Sequence, residues 1–149
     1  MTAWVVGGLV VWLMFNWLAP LSLLANATRM SIGRVPKDIL DRANAYHVHY
    51  YVAKLSGPLA LSTWLGWKHA VILDRDFLQN ARADQVRFVL AHELGHCALH
   101  HLQLRWLCTV LALSWMPAVN AYLRRKEEEA DAFAEELSGL PRTVLGGSS

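Results

Sequence analysis

VRFVLAHELGHCALHH, Val86 to His101, places His92 and His96 four residues apart with Glu93 directly after the first histidine. Residues four apart on an α-helix lie one above the other on one face, so the two imidazoles can reach a single ion. Glu93 sits a step round the helix, beside the coordination position that a catalytic zinc leaves open for water. A carboxylate there can take the water's proton as it attacks a carbonyl. Val86, Val89, Leu90, Leu94 and Ala98 recur at helical spacing, and Asp84 is placed to cap the helix. Gly95 is out of place in such a helix, costing about 1 kcal/mol against Ala. Its presence implies that something approaches the backbone closely there.

A catalytic zinc needs a third protein ligand, and the pattern HExxH supplies two. The metzincin solution places a third histidine six residues after the second, but that position is Leu102. The other common solution is a glutamate on a later helix. Lys126-Glu127-Glu128-Glu129-Ala130-Asp131 offers one, with Asp131 a turn beyond Glu127 and able to support a ligand by hydrogen bonding. Spacing alone does not separate Glu127 from Glu128. A solvated acidic face is the expectation for Glu128 and Glu129.

The pair HELGH and EEEAD resembles the gluzincin metallopeptidases, whose third ligand is the glutamate of an ExxxD motif. Two families share the pattern. One is the membrane-bound zinc endopeptidase family that includes the HtpX heat-shock protease and the CAAX prenyl endopeptidases. Its strand, short helix, VLAHELGH and ExEAD are similar to Ala70 to His101 and Glu127 to Asp131. His101 falls where many of its members carry a further histidine that is not a ligand. The other is the ImmA/IrrE-type family, which Arg87 to His100 and Glu127 to Leu137 resemble, Phe133-Ala134 included. The resemblance covers roughly residues 69–140 and implies Glu127 as the third ligand, four residues before Asp131.

At 149 residues the chain is one domain with appendages. Its hydrophobic share of 54% and seven tryptophans are high for a small soluble domain and point to a membrane. A net charge of +2, dispersed along the chain, gives no nucleic-acid footprint. Cys97 and Cys108 are too few for a disulfide framework, and Cys97 is expected to be packed rather than reactive. Ala3 to Ala25 holds no charged side chain and one strongly polar one, Asn16. That length suffices for a hydrocarbon core of about 30 Å. The competing reading is a signal peptide cleaved near Ala27 and followed by export, since Ala25-Asn26-Ala27 has the small-x-small shape. No basic residue precedes the segment, which disfavours it, and the run exceeds the usual signal core. Arg29, Arg34 and Lys37 follow the segment, so the positive-inside rule directs the remainder to the cytoplasm.

A second apolar run, Trp106 to Leu123, approaches the length of a span. A single crossing would leave His92 and His96 on one side of the membrane and Glu127 on the other, and one zinc ion cannot hold all three in that topology. A buried helix, an interfacial helix or a re-entrant hairpin broken near Ser114 to Pro117 remain. A helix kinked at Pro117, packed on the active-site helix and touching lipid, is favoured.

Between anchor and motif, Asp38 to Tyr46 reads as a short helix, and Val48 to Ala53, Leu59 to Leu65 and Ala70 to Leu73 as strands. His47 and His49 alternate with apolar neighbours and read as an exposed polar face. In gluzincins the strand before the active-site helix is a sheet edge to which substrate adds, which implies that Lys68 to Leu73 takes that role. Candidate donors to the oxyanion, or contacts to substrate, are His101, His69, Tyr122 and Arg124.

The expectation is an α+β, minimal gluzincin (zincin-like) domain with a small antiparallel or mixed sheet, an active-site helix, a ligand helix and an N-terminal transmembrane helix. Its parts are an anchor over 1–28, a peptidase domain over 29–141 and a flexible tail over 142–149. Its function is hydrolysis of a polypeptide bound as an extended strand at a bilayer. His92, His96 and Glu127 hold one zinc per chain, Glu93 is the base and Asp131 supports a ligand. The alternatives are an ImmA/IrrE-type peptidase cutting a specific repressor and a non-catalytic membrane adaptor that keeps the zinc fold.

Overall fold

The computed structural model describes residues 7, 18, 21–30, 35–64, 68–102 and 117–146. Within them the chain runs β1 (Thr28–Arg29), α1 (Lys37–Ala45), β2 (Val48–Ala53), β3 (Ala60–Trp64), β4 (His69–Asp74), α2 (Arg75–Asn80), α3 (Ala83–Ala98), α4 (Pro117–Ser138) and a 3-10 turn over Arg142–Gly146. This is an α+β fold with a small mixed sheet of order β1-β2-β4-β3. β1 pairs antiparallel with β2, β2 parallel with β4, and β4 antiparallel with β3.

Parallel pairing of β2 with β4 requires the chain to leave β2, cross and return, because parallel neighbours cannot share a tight hairpin. The segment between them uses β3 as the outgoing strand. β4 is thereby enclosed, from His69 paired with both Val48 and Trp64 to Leu73 paired with Val52 and Ala60. The edge assigned to Lys68 to Leu73 is therefore corrected: β4 is interior, and β3 lies on that side of the sheet. The run HAVILD fits an interior strand, since it is buried from His69 to Leu73.

Asp74 ends β4 and caps α2, its carboxylate accepting from the Phe77 and Leu55 backbone N–H groups at 3.0 and 2.8 Å. α3 then begins at Ala83, with Arg82 rather than Asp84 at the cap position. The Gln85 side-chain oxygen accepts from the Arg82 backbone N–H at 3.1 Å, while Asp84 is engaged by the Arg82 guanidinium. α3 lies at the centre of the domain, with Phe88, Leu90, Ala91 and Leu94 fully buried against Val71 and Leu73 of β4 and Ile39 and Ala43 of α1. Burying side chains as large as Phe88 and Leu94 contributes about 1.5–3 kcal/mol each. α4 lies along the other side of α3 through Ala130, Phe133 and Ala134.

Residues 117–123 belong to α4, the helix that carries Glu127. The tail expected over 142–149 is structured as far as Gly146: Val144 and Leu145 pack on the core, and the Val144 carbonyl accepts from Gln85 at 3.2 Å. Residues 103–116, which hold most of the second apolar run, and 147–149 lie outside the described residues. So does most of the proposed anchor or signal segment, apart from Gly7, Leu18 and the helical residues 21–25. Among the described residues no helix is long and apolar enough to cross a membrane, so the anchor has no support there.

Candidate metal centre

α3 and α4 meet where Gly95 has no side chain. A Cβ on Gly95 would lie 3.3 Å from both the Cα and the carbonyl oxygen of Ala130, and 3.2 Å from Phe133 Cδ1. The close approach expected from the sequence is thus that of the ligand helix itself. It brings Glu127, one turn before Ala130, over His92 and His96. His92 Nε2 and His96 Nε2 are 3.1 Å apart, and Glu127 Oε2 lies 3.6 and 3.2 Å from them. These three side chains could hold a metal ion. Bonds of about 2.0–2.1 Å at tetrahedral angles put ligand atoms about 3.3 Å apart, so the spacing suits zinc. The neutral nitrogen and carboxylate donors suit it equally.

Glu127 is the most accessible of the three, at 53% against 21% for His92 and 11% for His96, so the cluster opens to solvent on its glutamate side. Hydrogen bonds to His92 and His96 hold its carboxyl far below the usual carboxylate range. Burial opposes protonation of His92, but Glu127, Glu93 and Asp131 outweigh it and raise its pKa. Glu93 is half-buried, one residue on from His92 and within the electrostatic reach of Tyr50 and Cys97. Burial, with the Glu93 charge behind it, pushes the Cys97 thiol well up, as expected of a packed cysteine.

Each imidazole has a polar neighbour on its Nδ1 side. His92 Nδ1 is 2.8 Å from Asp131 Oδ1, close enough for a hydrogen bond although the N–H direction misses the oxygen in this ring orientation. The other Asp131 oxygen is gripped by Arg142 from the 3-10 turn. Arg142 is further tied to α4 by its backbone N–H, which donates to Glu135 at 2.9 Å. Nothing in the sequence singles out Arg142; only folding of the last turn back onto α4 brings it to Asp131. His96 Nδ1 faces His101 Nδ1 at 3.2 Å. Glu129, expected on a solvated face, instead accepts from Lys126 at 2.6 Å and lies 3.4 Å from His101.

The remaining candidates are dispersed. His101 is buried on the Nδ1 side of His96, and burial and His96 lower its pKa. His69 is buried at the start of β4. Tyr122 is exposed, with Lys126 Nζ 5.3 Å from its ring centre, and Arg124 is exposed two residues further along α4. His47 sits in the turn before β2, and His49 in β2 contacts Arg29 at 3.3 Å. Ser62 of β3 borders the cluster, in a small cavity that His96, His101, Lys126 and Glu127 also line. The sheet edge therefore runs past the metal-binding face.

No curated protein matches the chain. The model of peptidase family M48 matches residues 26–114, more than half of the sequence. The matched segment takes in β1 to α3, with His92, Glu93 and His96, and ends before Glu127, whose place beside them rests on the packing of α4. By its sheet, its motif helix and this match, the protein belongs to peptidase family M48, whose members are zinc-dependent metallopeptidases.

Proposed function

We propose that the protein is a membrane-anchored zinc endopeptidase of the HtpX-like kind, acting on extended polypeptide. What carries the reading is the triangle of His92, His96 and Glu127 donor atoms, spaced for one zinc ion. When bound, zinc would supply a Lewis acid that acidifies water and polarises the scissile carbonyl. Glu93 would take the water's proton and return it to the leaving amine. Asp131, itself held by Arg142, stands 2.8 Å from His92 Nδ1 and would fix the ring and increase its basicity once the ring turns to meet it. Substrate would lie along β3, adding a strand at the side facing Ser62 and leaving its carbonyl near Glu127. Of the candidate oxyanion donors, His101 lines the small cavity beside Glu127, Tyr122 and Arg124 are exposed on α4, and His69 is buried. Anchoring through residues 1–28, with the peptidase domain in the cytoplasm, is supported by the uncharged run Ala3 to Ala25 and the basic residues after it.

The test is metal content and hydrolysis of an unfolded protein by wild type and Glu93→Gln. One zinc per chain is expected in both, with hydrolysis lowered by about 10²–10⁴-fold in the variant. Retained hydrolysis would sink the mechanism, and zinc without hydrolysis in wild type would favour the non-catalytic adaptor. Deleting residues 1–28 tests the anchor. Loss of membrane-associated substrates is expected, whereas a soluble, fully competent enzyme would favour a regulatory peptidase that cuts one repressor.

A further inference from the structure

A zinc-binding imidazole ordinarily donates its second N–H to a carboxylate or a carbonyl, which fixes both tautomer and ring angle. His92 has such a carboxylate at hand, Asp131 Oδ1 at 2.8 Å from its Nδ1, but His96 does not. Its Nδ1 meets another imidazole, His101 Nδ1, at 3.2 Å, and both rings are buried. If His96 binds metal through Nε2, its proton must sit on Nδ1, and a neutral imidazole has one donor and one acceptor nitrogen. His101 Nδ1 must then be the acceptor, which leaves the His101 proton on Nε2. That atom is buried without a well-aligned hydrogen bond, and the Oε2 atom of Glu129 stands 3.4 Å away. The same oxygen accepts from Lys126 Nζ at 2.6 Å, which balances its charge.

The backbone is bent to make this contact. After α3 ends, His100 adopts φ 57, a left-handed conformation that a glycine would usually take at a helix C-terminus. A residue with a Cβ rarely adopts it. The reversal turns His101 back beneath the helix, one turn below His96. A side chain that merely filled space would not account for the complementary order of donors and acceptors from α3 to α4.

We infer that His101 is a positioning residue for His96, accepting its Nδ1 proton and fixing the ring through Glu129 and Lys126. The inference rests on His96 being a zinc ligand, as proposed above. The two imidazoles of the cluster are then oriented by opposite means: His92 by an anion, His96 by a neutral ring backed by an ion pair. Both supports end on α4, so docking of that helix sets the third ligand and both ring angles together.

Zinc affinity of the full-length chain, measured by competition with a chromophoric chelator, separates positioning from packing. His101→Phe keeps the ring and loses the acceptor; His101→Asn loses volume and keeps an acceptor oxygen. Positioning predicts that His101→Phe weakens zinc binding by about tenfold or more and that His101→Asn recovers most of it. Wild-type affinity in His101→Phe would overturn the inference, as would loss in His101→Asn alone. Nitrogen NMR of the zinc-loaded wild type gives a readout free of substitution: His96 protonated on Nδ1 and His101 on Nε2 are expected. A His101 proton on Nδ1 would refute the relay. Wild type that takes up no zinc would overturn both this inference and the metal site it rests on, whereas one bound zinc with unchanged affinity in His101→Phe overturns this inference alone.

Discussion

Replacing Gly95 with Ala tests whether the α3–α4 approach sets the metal site. The added Cβ would meet Phe133 Cδ1 at 3.2 Å and Ala130 Cα and O at 3.3 Å. Phe133 can turn aside, but the two Ala130 atoms are backbone and can move only with the helix. Restoring a comfortable carbon–carbon separation of about 3.7 Å asks α4 to retreat by roughly 0.4 Å. Overpacking of this kind costs about 1–3 kcal/mol. The gain in helix propensity returns about 1 kcal/mol. The net change in the stability of the metal-free protein is therefore small, about 0–2 kcal/mol of destabilisation.

The metal site is less forgiving than the fold. Glu127 lies on α4 three residues before Ala130, so the retreat carries it away from His92 and His96. Metal sites tolerate errors of only about 0.2 Å in ligand distance. Zinc affinity should fall about tenfold, comparable to the loss of an outer supporting contact. Chelator competition measures that affinity, and urea unfolding of the metal-free protein measures stability. Wild-type zinc affinity in a folded Gly95→Ala protein would refute the argument. So would a gain of the full helix-propensity term in stability, because it would mean that the approach never constrained α4.

Two further substitutions probe the supports of the fold and site. Arg142→Ala should lower zinc affinity severalfold by freeing Asp131, while the stability of the metal-free protein changes by less than about 1 kcal/mol because Arg142 is largely exposed; equal affinities of variant and wild type by chelator competition would count against the clamp. Asp74 has its carboxyl held below its ordinary 3.8 by backbone N–H groups, first that of Leu55 and then that of Phe77. A depressed folded-state pKa contributes stability that is present above the unfolded value and lost as pH falls through the folded one. Asp74→Asn should therefore lose less stability than wild type between pH 5 and pH 2.5 in urea titrations, and an identical loss would show that the carboxylate contributes nothing.

What could be read from the residues was whatever chain-local periodicity controls. The strand Val48 to Ala53 and the helix through His92 and His96 declare themselves by alternation and by helical spacing. Gly95 told of a close neighbour, and Asp131 of a partner for a ligand. Strand order was not legible, because HAVILD looks alike at an edge and in a centre until its neighbours are known. The His96–His101 contact depends on a left-handed His100, a conformation that no sequence pattern there announces. Arg142 acquires its role only when the chain beyond α4 folds back. Asp84 shows how local rules mislead: its carboxylate could have capped α3, but the Arg82 guanidinium holds it inside the first turn.

In the role proposed for it, β3 carries a liability. A strand that accepts an extended peptide along its outer side is equally a template for another chain's strand, the route by which sheets aggregate. Proteins commonly guard such strands with lysine, proline or a bulge. Ala60–Trp64 reads ALSTW, with no charge and no proline, and among the described residues the strand is short, so that its five residues offer little purchase for an unintended partner. Lengthening this strand to strengthen substrate binding would therefore exchange specificity for self-association.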